Sequence, residues 1–117
     1  MTYTLYHYPR CSTCVKARRW LDRHKVAYEL VDLSEDTPSA ETLRTLHERS
    51  ERPLKALFNT SGKSYRSGLF KDRIPTMSED EQLHALAADG MLIKRPILDA
   101  RELVLIGFRE AEWAQLK

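Results

Sequence analysis

The sequence predicts an α/β fold built on one mixed sheet: a βαβ unit, then a group of helices, then a ββα unit. Three observations predict it. In the first 32 residues, an amphipathic helical pattern lies between two β-forming segments. The middle of the chain carries helix start and stop signals. The last part holds two short apolar segments around a turn, followed by a helical pattern.

Length, charge and the N-terminal segment restrict the class of protein. The 117 residues, 42% of them hydrophobic, suffice for one core, so we expect one domain over residues 1–117. A formal net charge of +2 is not the concentrated positive field that binds phosphates, and we expect no direct nucleic-acid binding. No segment has a signal-peptide pattern or the roughly 18 apolar residues that span a bilayer. We expect a cytoplasmic protein without membrane contact.

The first half of the sheet is predicted from the βαβ unit. Residues 2–7 are rich in β-forming side chains and stop before Pro9, which predicts a strand and then a loop. From Ser12, apolar side chains recur at helical spacing, which predicts a helix to about residue 25. Residues 26–32 form the second predicted strand. Strands joined through a helix pair in parallel with a right-handed crossover.

The helical middle section is predicted from its caps and breaks. A charged helix is predicted up to about residue 50, where an Arg-Pro pair breaks the pattern. Residues 54–58 are expected to form a short buried turn and residues 59–62 a loop. Ser78 with Glu81 is a capping-box pattern, and Gly90 is expected to end the helix that starts there.

The end of the chain predicts the second half of the sheet. Residues 97–99 and 102–106 are typical of two short strands around a turn, which makes them an antiparallel pair. Residues 109–116 predict a closing helix.

Cys11 and Cys14 form a C-x-x-C pair, which is compatible with half a zinc site, a thiol redox pair or two core cysteines. A structural zinc needs four ligands, and the chain has no second cysteine pair and no histidines at ligand spacing, so zinc is the weakest of the three. Cys14 shares the apolar face of the predicted helix, which favours a core position for it. A reducing cytosol does not sustain structural disulfides, so redox chemistry is our first hypothesis.

Cys11 lies where the first loop meets the predicted helix. Free backbone N–H groups and the positive end of the helix dipole point at a side chain there, and Arg10 adds a cation. Such surroundings lower a thiol pKa from about 8.5 by one to several units. We expect Cys11 to be the nucleophile and Cys14, one helical turn on, the resolving thiol. The same helix start binds oxyanions, which makes Arg10, Ser12 and Thr13 candidate oxyanion-binding residues.

A second feature precedes the third predicted strand, where Arg95 is followed by Pro96. In a thioredoxin-like sheet, a proline at this place lies against the C-x-x-C loop and is commonly cis, so Pro96 is expected to be structural near the site. Most arginines are solvated surface charges. The position of Arg95 beside this proline favours a role in the site, as a bidentate contact to an oxyanion.

Four ordered motifs carry a resemblance to a known family: YHYPRCSTC at 6–14, FNTSG at 58–62, MSEDEQL at 77–83 and DGMLIKRPI at 89–97. On these motifs the sequence resembles the ArsC/Spx/MgsR family of arsenate reductase-related proteins over residues 2–113. The resemblance implies an α/β thioredoxin-like fold, with a mixed four-stranded sheet and a helical insertion between its two halves.

The resemblance also implies site residues and partners. In glutaredoxin-coupled arsenate reductases, the nucleophilic cysteine matches Cys11 and an oxyanion-binding arginine matches Arg95. Such reductases use a further arginine in the segment that corresponds to residues 57–60, where this chain has none. No bound cofactor is implied, and glutathione with glutaredoxin, or thioredoxin, is the expected external reductant.

Three functions are therefore open. The first is a thiol-dependent oxidoreductase of the arsenate-reductase-like type. The second is a redox-sensing transcription regulator, because the Spx branch uses its C-x-x-C as a disulfide switch and binds the C-terminal domain of the RNA polymerase α-subunit. The third is a thioredoxin-fold module without a catalytic role.

Overall fold

Four strands form one mixed sheet in the computed structural model, which describes residues 2–116. They are β1 (Tyr3–His7), β2 (Tyr28–Asp32), β3 (Ile97–Asp99) and β4 (Val104–Ile106), and they lie in the order β2-β1-β3-β4. β1 pairs in parallel with β2 and antiparallel with β3, and β3 pairs antiparallel with β4. The mixed four-stranded sheet and both predicted strand pairings are therefore confirmed.

The helices surround this sheet in two groups. They are α1 (Ser12–Arg23), α2 (Ala40–Ser50), α3 (Lys63–Ser67), α4 (Phe70–Arg73), α5 (Glu79–Ala88) and α6 (Glu110–Trp113). Short 3-10 turns cover Leu54–Leu57, Ile74–Thr76, Gly90–Leu92 and Ala114–Leu116. Within the described residues, no helix combines the length and the apolar character that crossing a membrane requires.

The two faces of the sheet bury two separate clusters of side chains. Leu5, Leu98 and Leu105 pack with residues of α1 and with Trp113 of α6. Ile97 and Ile106 face the other way and pack with the helical insertion between β2 and β3. Neighbouring strand residues therefore point to opposite layers, as the two-residue period of a strand requires.

The first helix and second strand are shorter than predicted because the chain makes a tight C-cap between them. Lys25 adopts the left-handed region with φ of 56°, and the N–H of Val26 donates to the carbonyl of Leu21 at 3.0 Å. Such a cap ends a helix by satisfying its last carbonyls. As a result, α1 ends at Arg23 and β2 starts at Tyr28.

The capping box at Ser78 is confirmed. The side chain of Ser78 accepts a hydrogen bond from the N–H of Glu81 at 3.1 Å, and the carboxylate of Glu81 accepts one from the N–H of Ser78 at 2.8 Å. These two bonds satisfy two of the free donors at the start of α5.

The predicted role of Gly90 as the residue that ends this helix is wrong. Helix α5 ends at Ala88, the extended residue Asp89 follows it, and Gly90 begins the next 3-10 turn. A Cβ atom on Gly90 would lie 1.8 Å from the carbonyl oxygen of Leu33. The glycine is therefore needed for close backbone approach between the insertion and the segment after β2.

Candidate functional site

Cys11 is the N-cap residue of α1, which is the position expected from the sequence. Its backbone is extended, its N–H donates to the carbonyl of Tyr8 at 3.0 Å, and its own carbonyl accepts from the N–H of Val15 at 3.1 Å. The first turn of α1 contains no acidic residue. No carboxylate of that turn therefore offsets the positive end of the helix dipole near the sulfur.

The two free thiols of the pair differ in exposure. Cys11 is half-buried, whereas Cys14 is 0% exposed and faces inward from the first turn of α1. A reagent in solution therefore meets Cys11 first.

The surroundings of Cys11 favour its thiolate. Burial alone raises the pKa of this thiol, but the backbone N–H and the thiol of Cys14 donate toward its sulfur, and the guanidinium of Arg95 adds a hydrogen bond and a positive charge. These donors outweigh burial and hold the pKa of Cys11 below its ordinary value. Cys11 is thus the more nucleophilic thiol near neutral pH.

Cys14 is held as the neutral thiol. Burial first, then the hydrogen bond and negative charge of Cys11, raise its pKa to about 12, against the opposing effects of the Tyr8 backbone and the charge of Arg95. A thiol that donates to a neighbouring thiolate loses that bond when it ionises, so the two shifts are opposite in sign.

Arg95 lies two residues before β3 and is half-buried near Cys11. Its guanidinium carbon sits 5.1 Å from the centre of the Tyr8 ring, a cation–π distance, and one of its nitrogens donates to the carbonyl of Met91 at 3.4 Å. The loop before α1 and the segment before β3 therefore hold this cation from two sides.

Pro96 is buried next to Arg95, and the peptide bond between them is cis. The carbonyl of Pro96 accepts a hydrogen bond from the N–H of Gly107 at 2.7 Å, which connects the start of β3 to the end of β4. Gly107 has a φ of 79°, a region that favours glycine.

His7, at the end of β1, is buried with 5% of its surface exposed. Burial first, and the charge of Arg18 second, lower its pKa, while Asp32 acts in the opposite direction. The ring is therefore neutral near neutral pH, and the cation that acts on Cys11 is Arg95.

A cavity of about 330 Å³ is lined by Thr13, which lies between the two cysteines in the sequence, and by Arg95, together with residues of the helical insertion and of the end of β4 and the segment after it. Arg95 both lines the cavity and lowers the pKa of Cys11, so the same guanidinium acts on the cavity and on the thiolate. Within residues 2–116, no group of three or more His, Cys, Asp or Glu side chains is placed to hold a metal ion.

Comparison with known proteins identifies the family. The model of the ArsC family matches residues 6–116. The chain belongs to the ArsC family.

Relatives of this ArsC-family chain cover nearly its whole length. It is 46% identical over 115 residues to the uncharacterized protein YusI of Bacillus subtilis, covering 98% of each chain. The structure of a putative ArsC family related protein from Bacteroides fragilis is 39% identical with a TM-score of 0.96, covering 100% of this chain and 98% of that one. The structure of a possible arsenate reductase from Streptococcus mutans is 44% identical with a TM-score of 0.85, and the match covers 92% of this chain and 91% of that one. These likenesses confirm the thioredoxin-like fold.

Regulatory proteins are also relatives of this family member. The regulatory protein MgsR of Bacillus subtilis is 26% identical over 113 residues, which cover 97% of this chain and 88% of MgsR. The relatives of this chain therefore include a protein named as a possible arsenate reductase and a protein named as a regulator.

The ArsC-family fold brings together some of the predicted site residues and separates others. Cys11, Cys14 and Arg95 meet, and Thr13 lines the cavity with Arg95. Ser12 is exposed at the start of α1. Arg10 is exposed and lines a separate depression that also contains Asp32 and Glu35. The oxyanion-binding roles of Arg10, Ser12 and Thr13 stay predictions.

Sequence reasoning missed cations that the fold places around the cavity. Arg52 and Lys55 come from the 3-10 turn after α2 and the residues just before it, and Lys94 precedes Arg95. The N–H of Lys94 donates to the carbonyl of Leu57 at 2.7 Å, which fixes that turn beside β3. The signal in the sequence was the bare presence of basic residues near Pro53, and only the tertiary pairing gives them a common place.

Proposed function

We propose that this ArsC-family protein is a thiol-dependent oxidoreductase that resembles glutaredoxin-coupled arsenate reductases, with Cys11 as nucleophile and Cys14 as resolving thiol. The observation that carries the proposal is the placement of the two free thiols, with Cys11 half-buried at the N-cap of α1 and Cys14 fully buried one helical turn on; the opposite shifts of their pKa values support it. Reactive cysteines lie at electropositive helix starts, whereas inert structural ones are buried without such partners.

The first step is an attack by the Cys11 thiolate on an oxidised substrate. With a disulfide R–S–S–R, the Cys11 sulfur forms a new S–S bond to one half and the other half leaves as RS⁻. Arg95 supports this step because it stabilises the negative charge at the reacting sulfur and can grip an oxyanion with its planar fork.

In the second step Cys14 resolves the adduct. Its thiol loses a proton to solvent, its sulfur attacks the Cys11 sulfur, and the second RS⁻ leaves, so the protein pair is oxidised by two electrons and the substrate disulfide is reduced. Part of the upward shift of the Cys14 pKa comes from the Cys11 thiolate and disappears once Cys11 is bound in a disulfide. Cys14 thus becomes easier to ionise when its attack is needed.

An external thiol must restore the reduced pair. A small thiol or a redoxin, such as glutathione with glutaredoxin or thioredoxin, supplies the two electrons and protons. No cofactor is required for either step, because all the electrons pass through sulfur.

Turnover with arsenate or a model disulfide tests this proposal, using glutathione with glutaredoxin, or thioredoxin, as reductant. The wild type is expected to turn over at least one of the two oxidants, Cys11→Ser to be inactive, and Cys14→Ser to accumulate a mixed disulfide at Cys11. A wild type that forms its disulfide reversibly but turns over neither oxidant, and that binds the purified C-terminal domain of the RNA polymerase α-subunit, would contradict the enzyme and support a redox-sensing regulator.

A further inference from the structure

The cavity beside Arg95 has a strongly cationic lining. Five of its twelve lining residues are basic, none is acidic, and the chain as a whole carries only +2. They are Arg52, Lys55, Lys94, Arg95 and Arg109. The ion pairs formed within residues 2–116 engage Arg44 and Arg49 and none of these five. Among the described residues, no carboxylate pairs with the positive charge around this cavity, which can therefore attract an anion.

The cavity also has apolar walls. Phe58 and Ile106 are buried and Phe108 is half-buried, and all three line the same space as the five cations. An inorganic oxyanion gains nothing from aromatic and aliphatic walls, whereas an organic anion buries its carbon skeleton against them. The combination therefore fits an organic anion.

The volume of the cavity also favours an organic anion over an inorganic oxyanion. The cavity measures about 330 Å³, within the range of about 300–1,000 Å³ of pockets that hold small organic ligands. A tetrahedral oxyanion of five heavy atoms is smaller than the ligands that such pockets hold.

The backbone turn that carries Lys55 is held against the segment before β3. Phe58 forms a bridge to Ile93, and the N–H of Asn59 donates to the carbonyl of Leu92 at 2.8 Å. The 3-10 turn that carries Lys55 is therefore fixed against the segment that carries Arg95. A preorganised pair of charged regions binds a ligand with two separated charges at lower entropic cost.

We propose that the cavity binds a small organic disulfide that carries an acidic group on each half, one held near Arg95 and the other by Arg52 and Lys55. This inference rests on the proposed thiol chemistry and names its substrate class. The bound half forms the S–S bond to Cys11 while the other half leaves as a thiolate, and Cys14 then displaces the bound half, as in the steps above. The cations place the substrate and stabilise the two thiolates that leave.

The test compares two disulfides that report the release of each thiol by absorbance. The dianionic probe is 5,5′-dithiobis(2-nitrobenzoate) and the uncharged one is 4,4′-dithiodipyridine. The measured quantity is the second-order rate constant of the reduced protein with the dianionic probe divided by its rate constant with the uncharged probe. For Arg52→Gln/Lys55→Gln this ratio is expected to fall about tenfold at low salt, with each single variant giving part of the loss. Added salt should reduce the difference in this ratio between the wild type and the double variant, because salt screens the charges.

Lys16→Gln/Arg19→Gln is the matched control. Both residues are exposed on α1 and line a neighbouring depression, so this variant removes the same charge outside the cavity. Its ratio is expected to stay within about twofold of the wild type. Equal falls in the two double variants, or no fall in the first, would overturn the substrate class while leaving the thiol chemistry intact. Failure of the wild type to react with either probe would overturn both.

Discussion

Cys11 and Cys14 are separated by one helical turn but experience different surroundings. One sits half-buried at the helix start beside a guanidinium, and the other is fully buried. The position of each thiol could be predicted from the sequence, because a strand, a loop and an amphipathic helix fix which residue starts the helix and which faces inward. The charge that acts on Cys11 was assigned partly to Arg10, but the structure brings Arg95 to the sulfur.

Cys11 is expected to alkylate at neutral pH much faster than Cys14. The lowered pKa and the exposure of Cys11 both favour it, whereas burial protects Cys14. Iodoacetamide labelling followed by peptide mass spectrometry measures the two rates, and the pH at half-maximal rate for Cys11 should lie below that of an ordinary thiol. Equal rates, or preferential labelling of Cys14, would reverse the assigned roles.

Replacing Arg95 should raise the pKa of Cys11 and slow its reaction. Arg95→Ala removes a hydrogen bond and a positive charge from the thiolate, and Arg95→Lys keeps a charge but not the planar fork. Arg95→Ala is expected to raise the activation free energy of the reaction by up to about 3 kcal/mol, and Arg95→Lys by less. Thiolate absorbance against pH, the reaction rate and a thermal melt are measured together. A normal rate and pKa in Arg95→Ala with an intact fold would remove Arg95 from the site.

At the scale of elements, the sequence predicts helices and strands that have a long hydrophobic period or a local cap. It does not predict short helices whose conformation depends on tertiary contacts. The helix after Ser78 is specified by its own capping box, which acts within four residues. Helices α3 and α4 span only five and four residues, too short for a hydrophobic period to show. Leu69 separates them in the left-handed region with φ of 56°, a conformation that the sequence does not signal at a leucine.

Gly90→Ala is expected to destabilise the protein by about 3 kcal/mol, because its Cβ would overlap the carbonyl of Leu33 and force the backbone apart. Denaturant unfolding measures the loss. Gly62→Ala is the control: its Cβ would mainly press on the amide end of Asn59, a side chain that can move, so the loss should be about 1 kcal/mol or less. Similar losses in the two variants would contradict the close approach at Gly90.

At the scale of the whole molecule, one ion pair ties the helical insertion to the sheet. Arg49 of α2 donates to both carboxylate oxygens of Asp99 at 2.6 and 3.0 Å, and also to the carbonyl of Arg101 at 2.8 Å. Residues fifty positions apart make this contact. Local patterns in the sequence do not reveal it, for the same reason that they did not reveal Arg52 and Lys55 around the cavity.

This ion pair should make stability depend on pH in acid. The hydrogen bond from Arg49 is the main cause that holds the pKa of Asp99 below its ordinary value, so the folded state favours the carboxylate. The stabilisation is then fully present above the pKa of Asp99 in the unfolded chain, about 4. It is lost as pH falls through the lower pKa that Asp99 has in the folded protein.

Arg49→Gln is expected to cost about 1–2 kcal/mol near neutral pH and progressively less below about pH 4. Urea unfolding at several pH values measures the difference from wild type. Arg44→Gln breaks an exposed ion pair with Asp80 and should have no measurable effect at any pH. A loss for Arg49→Gln that stays constant in acid would show that the ion pair is not its source.

The central claim is that Cys11 and Cys14 act as one two-electron redox pair, and a redox titration tests it most directly. The protein is equilibrated with mixtures of reduced and oxidised dithiothreitol and quenched with an alkylating agent in denaturant, so that both free thiols are accessible, and its mass is measured by mass spectrometry. The account predicts one reversible transition between a doubly alkylated form and an unlabelled monomer with a Cys11–Cys14 disulfide, since one helical turn brings the sulfurs within reach. Oxidation that yields only intermolecular dimers, or single adducts at Cys11 that Cys14 never resolves, would contradict it.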